Sequence, residues 1–500
     1  MATPSKHPNI LVLMTDQQRA DAMSAHGGWV RTPNLDRLAA RGCDLRQHFA
    51  QAPVCVPSRC SLFTGRYPHA HRVLENDARL APHEVHLFKA LKQAGYHLAY
   101  AGKNHLLPEA EARANFDSYE DFCDDDVSDP HRRAYLALEE ESLARLESVG
   151  SYASCAYHDH PDDVTTTGVV ASRGRAEIAA APTDRPWCVT ISFSDPHVPH
   201  LAPRRFADWY PVDELPLPSW SEDELNAKHP RVRVKREAQN AAVATSQDQR
   251  TYLAVYASMC SYVDEQIGTI LQALEKRPDA ERTLVIFTSD HGDFCWHHGL
   301  CKKDLLLYDE LLHVPAIVSW PARLAARRVD ALTEHVDLVP TVLDLAGLPI
   351  PFGCQGRSLV PLINGERSTH ADEVHAEVCY PWMRSGHGSA DAVREVSTRA
   401  RVPAASYNVP GDYTKALRTR RWKYIWYGDG FEELYDLEND PHERRNVAPD
   451  PTVGEELARL RLRLMQWLAE SADPRSPRNE REQLTEFSAW TSMDPALQVK

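Results

Sequence analysis

The hydrophobic positions of this chain alternate between short β-branched runs and longer segments with helical periodicity. Apolar runs recur at residues 9–15, 97–101, 188–194, 283–289 and 315–320, and each has the length of one buried strand. Buried strands that alternate with helices form parallel sheets covered on both faces. The pattern therefore predicts an α/β fold with a large, mainly parallel sheet sandwiched by helices.

Three of the helical segments have recognisable boundaries. The first begins at Thr32 and Pro33 and ends at Gly42. In residues 253–274 the apolar positions step by three and four, which predicts a long helix with one buried stripe. A third helix is predicted between residues 333 and 347, where a glycine can end it.

A change of composition after the third helix predicts a second domain. Pro349 and Pro351 open a connection, and the later segments WKYIWYGDG and ELYDL are typical of antiparallel strands joined by a tight turn. Residues 455–470 predict a charged helix. We therefore expect a large α/β domain over residues 1–365 and a smaller α+β domain, with a short antiparallel sheet and a helical tail, over residues 366–500.

Composition and charge exclude several classes of protein. Hydrophobic residues make up 43% of the chain and charged residues 25%, which is ordinary globular composition. A net charge of −15 disfavours binding to nucleic acid or to an anionic membrane. The apolar run near the start, residues 10–14, is too short for a signal peptide or a membrane span. Eleven scattered cysteines are typical of free thiols in a reducing compartment. We expect a cytoplasmic protein, whose oligomeric state the sequence does not indicate.

Polar clusters follow four of the predicted strands. They are TDQQ at 15–18, GKNH at 102–105, SDPHVPH at 194–200 and SDHGD at 289–293. Because binding sites in open α/β sheets form at the carboxyl ends of strands, we expect Asp16, Gln17, Asp290 and His291 to converge. Each of them alone could be a cap or a turn residue. Together, two carboxylates, an amide oxygen and an imidazole suit a divalent cation.

The loop VCVPSRCSLFTGR, residues 54–66, predicts an anion-binding helix start. Pro57 stands where a first helical turn would begin, which places Cys55 and Ser58 beside free backbone N–H groups. Arg59 adds a permanent charge that can make paired contacts to oxygen atoms. Taken alone, a cysteine at this position is equally compatible with simple packing.

These motifs resemble the sulfatase family of the alkaline phosphatase superfamily. The family's modification signature, in which a separate generating enzyme oxidises the cysteine to formylglycine, is matched by Cys55, Pro57, Ser58, Arg59, Thr64, Gly65 and Arg66. Phe63 stands where that signature usually has Leu or Met. The resemblance continues in family order through RTPNLDRLAARG, AGYHLAYAGKNHL, SDPHVPH, SDHGD, HGLCKKDLLLYDELLHVP and ELYDLENDPHE, and so covers most of the chain.

The resemblance implies hydrolysis of a small-molecule sulfate ester, with formylglycine at position 55 as the nucleophile. The implied metal ligands are Asp16, Gln17, Asp290 and His291. The residues implied around the transferred group are Arg59, Lys103, His105, His197 and Lys303, with Asn76 in contact with it. Among them, Arg59 and the two lysines would stabilise charge on the sulfate oxygens, His197 would protonate the leaving alcohol, and His105 would help the second hydroxyl lose its proton.

Two positions qualify this expectation. Gln17 stands where many relatives have a second Asp, which makes the ligand set less anionic and, with His291, less purely calcium-like. We expect one divalent ion, calcium, with manganese as the alternative. Lys302 precedes Lys303, and the five-position spacing to Tyr308 favours Lys303.

Three functions remain open from the sequence. The first is sulfate ester hydrolysis, and the second is hydrolysis of phosphonate monoesters or phosphodiesters at the same site. The third is a catalytically silent binding protein with an unmodified Cys55. Candidate residues at the substrate rim are Tyr380, Trp382, Arg384 and His387, and four further histidines interpreted as structural are His297, His298, His313 and His335.

Overall fold

The computed structural model describes residues 7–76, 78–121, 129–379 and 413–472. Its main feature is a nine-stranded sheet. The nine strands are β1 Asn9–Thr15, β2 Cys43–Phe49, β3 His97–Gly102, β4 Ser118–Glu120, β6 Trp187–Ser192, β8 Thr283–Ser289, β9 His313–Val314, β10 Ala316–Ser319 and β11 Arg327–Glu334. Eight of them lie side by side in the order β11-β2-β10-β8-β1-β6-β3-β4, and the ninth, β9, pairs with β2. Strands β5 Cys155–His158 and β7 His200–Pro203 form a separate parallel pair.

Helices cover both faces of the large sheet, as the hydrophobic pattern predicts. They are α1 Pro33–Arg41, α2 Cys55–Thr64, α3 Pro68–His71, α4 Leu87–Gln93, α5 Glu109–Asn115, α6 Pro130–Ser148, α7 Thr166–Ala180, α8 Glu222–Ala227, α9 Pro230–Ala238, α10 Ser246–Glu275, α11 Asp309–Leu312, α12 Leu338–Ala346 and α13 Val360–Ile363. Within β1, Leu11 and Leu13 pack in one core with Val263 of α10, whereas Ile10 and Val12 belong to the core on the other face. The fully buried strand is therefore apolar on both sides.

The apolar run at 315–320 contains β10, which is antiparallel to both β8 and β2 within the mainly parallel sheet. One expectation about an individual element needs correction. The helix predicted from residue 333 begins later, at Leu338. Residues Thr333 and Glu334 instead finish β11, which pairs with β2 in parallel. Tertiary pairing overrides the local helical pattern at this boundary.

The C-terminal sheet has four antiparallel strands in sequence order. Its members are β12 Glu373–Cys379, β13 Tyr413–Thr419, β14 Trp422–Tyr427 and β15 Glu432–Asp436, and the helix α14 Gly454–Ala472 packs on it. This arrangement confirms the smaller α+β unit, although the exact boundary at residue 365 stays a prediction. The proposed rim residues at 380–387 and the tail after 472 lie outside the described residues.

A buried ionic cluster joins the C-terminal sheet to the large domain. The ammonium of Lys423, on β14, lies 2.7 Å from an oxygen of Asp309 and 2.8 Å from an oxygen of Glu443. Glu443 also accepts the backbone N–H of Asp309 at 2.6 Å. The side chains of Lys423 and Glu443 are fully buried. The charge of Asp309 is therefore compensated by a cation from the C-terminal part of the chain.

Two observations bear on the composition-based expectations. The described cysteines are all free thiols. Among the described residues, none of the helices combines the length and hydropathy that a membrane span requires.

Candidate active site

The predicted polar clusters meet at one edge of the sheet. Strands β8, β1, β6 and β3 are parallel neighbours, so their carboxyl ends lie side by side. Asp16 and Gln17 follow β1, Lys103 follows β3, and Asp290 and His291 follow β8. Convergence at a carboxyl edge is what this topology favours for a binding site.

Four potential ligand groups form a compact cluster at this edge. One ligand atom from each of Asp16, Cys55, Asp290 and His291 lies within 4.8 Å of the others, and all four residues are buried. The Nε2 atom of His291 lies 3.6 Å from an oxygen of Asp16 and 3.6 Å from an oxygen of Asp290. Two carboxylates and an imidazole that converge on one point form a donor set for a divalent cation.

Gln17 adjoins this cluster through its backbone N–H, which donates to Asp290 at 3.1 Å, and it has one polar atom without a partner among the described residues. Its backbone has a positive φ of 75°, and its Nε2 donates to Asp293 at 2.6 Å. Because the amide nitrogen is fixed in this way, the Oε1 atom is the remaining acceptor. It is buried and has no hydrogen-bond partner among the described residues. An orphaned buried oxygen beside two carboxylates fits a metal ligand, because a cation would satisfy it.

Helix α2 presents the side chain of Cys55 to this cluster. The helix begins at Cys55 itself and is buried along its whole length. The Sγ atom lies 3.6 Å from Asp16 Oδ1, 3.4 Å from His291 Nε2 and 2.6 Å from the ammonium of Lys303. Residue 55 is therefore placed against both the metal-binding groups and a cation.

Arg59 lies one turn further along the helix and contacts the carboxylates directly. Its Nε donates to Asp290 at 2.8 Å and its Nη2 to Asp16 at 3.0 Å. Its Nη1 donates to the backbone oxygen of Lys103 and to Ser192, each at 2.8 Å. The side chain is fully buried. Most of the N–H groups of the Arg59 guanidinium therefore donate to atoms of the protein itself.

The two lysines proposed around the transferred group both reach residue 55. The ammonium of Lys103 lies 2.8 Å from an oxygen of Asp16 and 4.0 Å from the Cys55 sulfur. That of Lys303 lies 3.1 Å from His291 Nε2. The backbone N–H of Lys302 donates to Tyr252 at 2.8 Å, which fixes the peptide between Cys301 and Lys302, next to Lys303. The structure thus brings Lys303 to residue 55, as the spacing argument favours.

Both predicted histidines lie close to Cys55, whose sulfur opposes the lowering of their ring pKa by burial. The Nδ1 atom of His197 lies 2.6 Å from the backbone oxygen of Val198, so the neutral ring carries its proton there and leaves Nε2 available. His105 has a positive φ of 45°, and its Nδ1 is buried without a partner among the described residues. The two rings therefore belong to the same site.

Asn76 contacts the start of helix α2. Its Oδ1 accepts the backbone N–H of Val56 at 3.0 Å, so the side chain caps the first turn of α2. This position lies next to residue 55, while contact with a substrate stays a prediction.

Sequence reasoning missed several residues that support the site. The carboxylate of Asp293 accepts hydrogen bonds from Gln17 and, at 2.7 Å, from Tyr252. Ser58, which the sequence did place at the start of helix α2, donates to the backbone oxygen of Asp290 at 2.5 Å. Asp293 could have been found, because it is the second carboxylate of the SDHGD motif. Nothing in the pattern around Tyr252 distinguishes it from the other buried positions of α10.

Opposing charges control ionisation at the site. Burial opposes ionisation of Asp16, but Lys103 and Lys303 hold the pKa of its carboxyl well below the usual range. Burial and the neighbouring Asp16 raise the pKa of Asp290 to about 6. Burial also raises the thiol pKa of Cys55, yet the two lysines overcome it and hold that pKa well below its usual value. The site therefore stabilises negative charge at residue 55.

The histidines interpreted as structural are held by protein partners. His335 lies 2.9 Å from His48, and its other nitrogen lies 3.3 Å from the backbone oxygen of Asp290. His313 contacts the backbone oxygen of Arg46 at 2.9 Å. The neighbouring His297 and His298 both face the carboxylate of Glu310.

Comparisons with known proteins identify one family. The family model described as Sulfatase matches residues 8–348. A choline-sulfatase from Rhizobium meliloti (strain 1021) is 28% identical over 490 residues, covering 93% of this chain and 88% of the relative. An arylsulfatase from Clostridium perfringens (strain 13 / Type A) is 27% identical over 499 residues, covering 92% and 94%.

The fold is also found in solved structures. A phosphonate monoester hydrolase of Agrobacterium radiobacter superposes with a TM-score of 0.77 at 24% sequence identity, covering 94% of this chain and 97% of that one. At this level of identity the likeness concerns the fold.

Proposed function

The chain belongs to the sulfatase family of sulfuric ester hydrolases, and from that premise we propose that it cleaves a sulfate monoester with an oxidised residue 55 as nucleophile. The observation that carries this proposal is the position of Cys55. Its sulfur contacts groups from three separate segments, Asp16, His291 and Lys303. A cysteine kept only for packing would be surrounded by apolar side chains instead.

Residue 55 requires conversion to formylglycine for repeated turnover. The hydrate of that aldehyde supplies two hydroxyls, one to attack sulfur and one whose later deprotonation releases sulfate. We propose that a formylglycine-generating enzyme is the maturation partner, since the segment Cys55 to Arg59 matches the signature of its substrates.

Asp16, Gln17, Asp290 and His291 would hold one divalent ion. Such an ion would supply positive charge and lower the pKa of a nearby hydroxyl. Oxygen donors from three residues favour calcium, and the imidazole of His291 is compatible with manganese. The role we assign to Arg59 is to hold both carboxylates in position, because its donors go to Asp16 and Asp290.

Lys103 and Lys303 would bind the sulfate oxygens. Both ammonium groups lie beside residue 55, where charge develops as the bond between sulfur and the alcohol oxygen breaks. We propose that His197, once its ring has taken up a second proton at Nε2 beside the bound sulfate ester, gives that proton to the alcohol oxygen, and that His105 takes a proton from the second hydroxyl of residue 55. Asn76 would position the first turn of α2 and contact the transferred group.

Hydrolysis of phosphonate monoesters or phosphodiesters is the alternative. Sulfuryl and phosphoryl groups are both tetrahedral, and Gln17 makes the ligand set less anionic than one with three carboxylates. The identity of the alcohol is not specified by the groups described above. A cytoplasmic location likewise stays a prediction, which fractionation of the native host would check.

Mass spectrometry of residue 55 tests the nucleophile. Protein made with a formylglycine-generating enzyme should yield a tryptic peptide, Gln47 to Arg59, with the mass of an aldehyde at position 55. Turnover should rise in proportion to the modified fraction, and Cys55→Ala should abolish it. Cys60→Ala, which removes a buried thiol one helical turn further on, should keep both the modification and the activity.

Matched substrates then rank the two hydrolase functions. Sulfate monoesters, phosphonate monoesters and phosphodiesters of one phenol should be compared by kcat/KM, and the proposal expects the sulfate ester to rank first. A higher value for the phosphorus esters would favour the alternative. Full activity in Cys55→Ala would reject residue 55 as nucleophile.

A further inference from the structure

A second group of metal-ligand side chains lies outside the active site. It consists of His297, Glu310 and His442, which share no residue with the catalytic cluster. The three come from different segments: the loop after β8, helix α11, and the chain that follows β15. One ligand atom from each lies within 4.8 Å of the others.

The spacing of these atoms matches tetrahedral coordination. The Nδ1 atom of His297 lies 3.2 Å from Oε1 of Glu310, and that of His442 lies 3.6 Å from the same oxygen. Bonds of about 2.0–2.2 Å from zinc to nitrogen and oxygen place tetrahedral ligands about 3.3–3.5 Å apart. A zinc ion can therefore sit between these atoms after small side-chain adjustments.

The surroundings of Glu310 resemble the second layer of a metal site. Its other oxygen, Oε2, lies 3.3 Å from Nε2 of His298, whose Nδ1 in turn lies 2.6 Å from Glu224. Hydrogen-bonded partners of this kind fix the orientation of a ligating carboxylate. The Glu310 side chain is only 3% exposed, whereas His442 is 54% exposed. The cluster is thus anchored on one side and open to entering ions on the other.

We propose that His297, Glu310 and His442 form a zinc site, with water as the fourth ligand. Zinc at Nδ1 would take the place of the ring proton, which a neutral imidazole carries on Nε2 instead. The Nε2 atom of His297 lies 3.4 Å from Nη2 of Arg19, and coordination through Nδ1 lengthens this contact. Arg19 keeps its partner Asp21, at 2.7 Å from the same nitrogen.

Such an ion would tie the C-terminal segment to the loop that follows the catalytic ligands. His442 belongs to the C-terminal segment, and His297 lies six residues after His291. The site is therefore structural, and it should increase the resistance of the folded protein to heat.

Zinc titration of the calcium-saturated protein tests the proposal. Calcium prefers oxygen ligands and should occupy the catalytic cluster, so zinc uptake reports the second site. Wild-type protein should bind one zinc ion per chain and melt at a higher temperature with zinc than without it. His442→Ala should lose that ion and the temperature shift. Since His442 is half exposed, this variant should keep the unfolding temperature of zinc-free wild type.

A matched control is His83→Ala, which removes a 68% exposed histidine near another carboxylate. This variant should bind zinc as wild type does. Zinc uptake that persists in His442→Ala, or wild-type protein that takes up no zinc in calcium, would overturn the proposal.

Discussion

The replacement of Lys303 by Met removes one charge while keeping a side chain of similar length. In the structure the Lys303 ammonium lies 2.6 Å from the Cys55 sulfur and 3.1 Å from His291 Nε2. At an effective dielectric constant of about 20, two unit charges about 3 Å apart interact by about 5 kcal/mol. Part of this energy is already present before the reaction, so only the gain in the transition state affects the rate.

Loss of one donor to developing charge typically lowers kcat by about 10²–10³-fold, or about 3–4 kcal/mol. We expect Lys303→Met to fall in this range with a sulfate ester, and inhibition by free sulfate to weaken as well. Steady-state rates should be measured on samples with equal formylglycine content at position 55, because Lys303 also affects the environment of that residue.

Lys302→Met is the matched control for this measurement. Its backbone N–H, which contacts Tyr252, is unchanged by the substitution. We expect its kcat to stay within about threefold of wild type, since a substitution without a specific lost contact has a small effect. Wild-type turnover in Lys303→Met, or equal losses in both variants, would refute the assignment of Lys303.

Three further predictions concern the metal, the proton donor and the C-terminal sheet. Asp16→Ala or Asp290→Ala should abolish turnover and metal retention, as measured by elemental analysis of the folded protein. His197→Ala should slow esters of weakly acidic alcohols far more than activated aryl esters, because only the former need protonation. Although burial opposes it, Lys415 and a histidine lower the pKa of Glu377 to about 2. Its ionised form therefore stabilises the fold above about pH 4.5, by up to about 3 kcal/mol, and this contribution is lost as the pH falls towards 2. In Glu377→Gln, the urea concentration at the unfolding midpoint should depend less on pH over that range than it does in wild type.

Each of these has a clear contrary result. Full metal occupancy and normal rates in both aspartate variants would remove the proposed site. Equal losses across the leaving-group series would exclude His197 as the acid, and parallel pH curves for Glu377→Gln and wild type would show that this carboxyl does not control acid stability.

The sequence predicted those elements whose patterns are local and strong. Strand β1 and strand β8 have the predicted bounds, because a continuous apolar run bounded by polar residues leaves little choice. The polar residues that follow these two strands were predicted as a site because the end of each apolar run marks their position. Strand β11 was not predicted, because its first two residues, Arg327 and Arg328, are exposed and its pairing with β2 depends on a distant segment.

The contacts of individual side chains were harder to predict. From the sequence, Arg59 was expected to contact the sulfate oxygens. The groups that its side chain actually contacts depend on how the axis of α2 is oriented relative to β1 and β8. In the structure that geometry brings Asp16 and Asp290 within reach of its guanidinium. The contact between Gln17 and Asp293 likewise depends on the positive φ of residue 17.

The ionic cluster around Lys423 limits how this chain can be recombined with its relatives. Asp309 comes from the large domain, whereas Lys423 and Glu443 come from the C-terminal part. A hybrid protein that joined the large domain to a foreign C-terminal sheet would bury Asp309 without its two cations, Arg418 and Lys423, unless the donor carried basic residues in the same places. Breaking a buried pair in this way typically costs about 3–5 kcal/mol. The two parts are therefore exchangeable only as a matched set, with both cations and both acids replaced together.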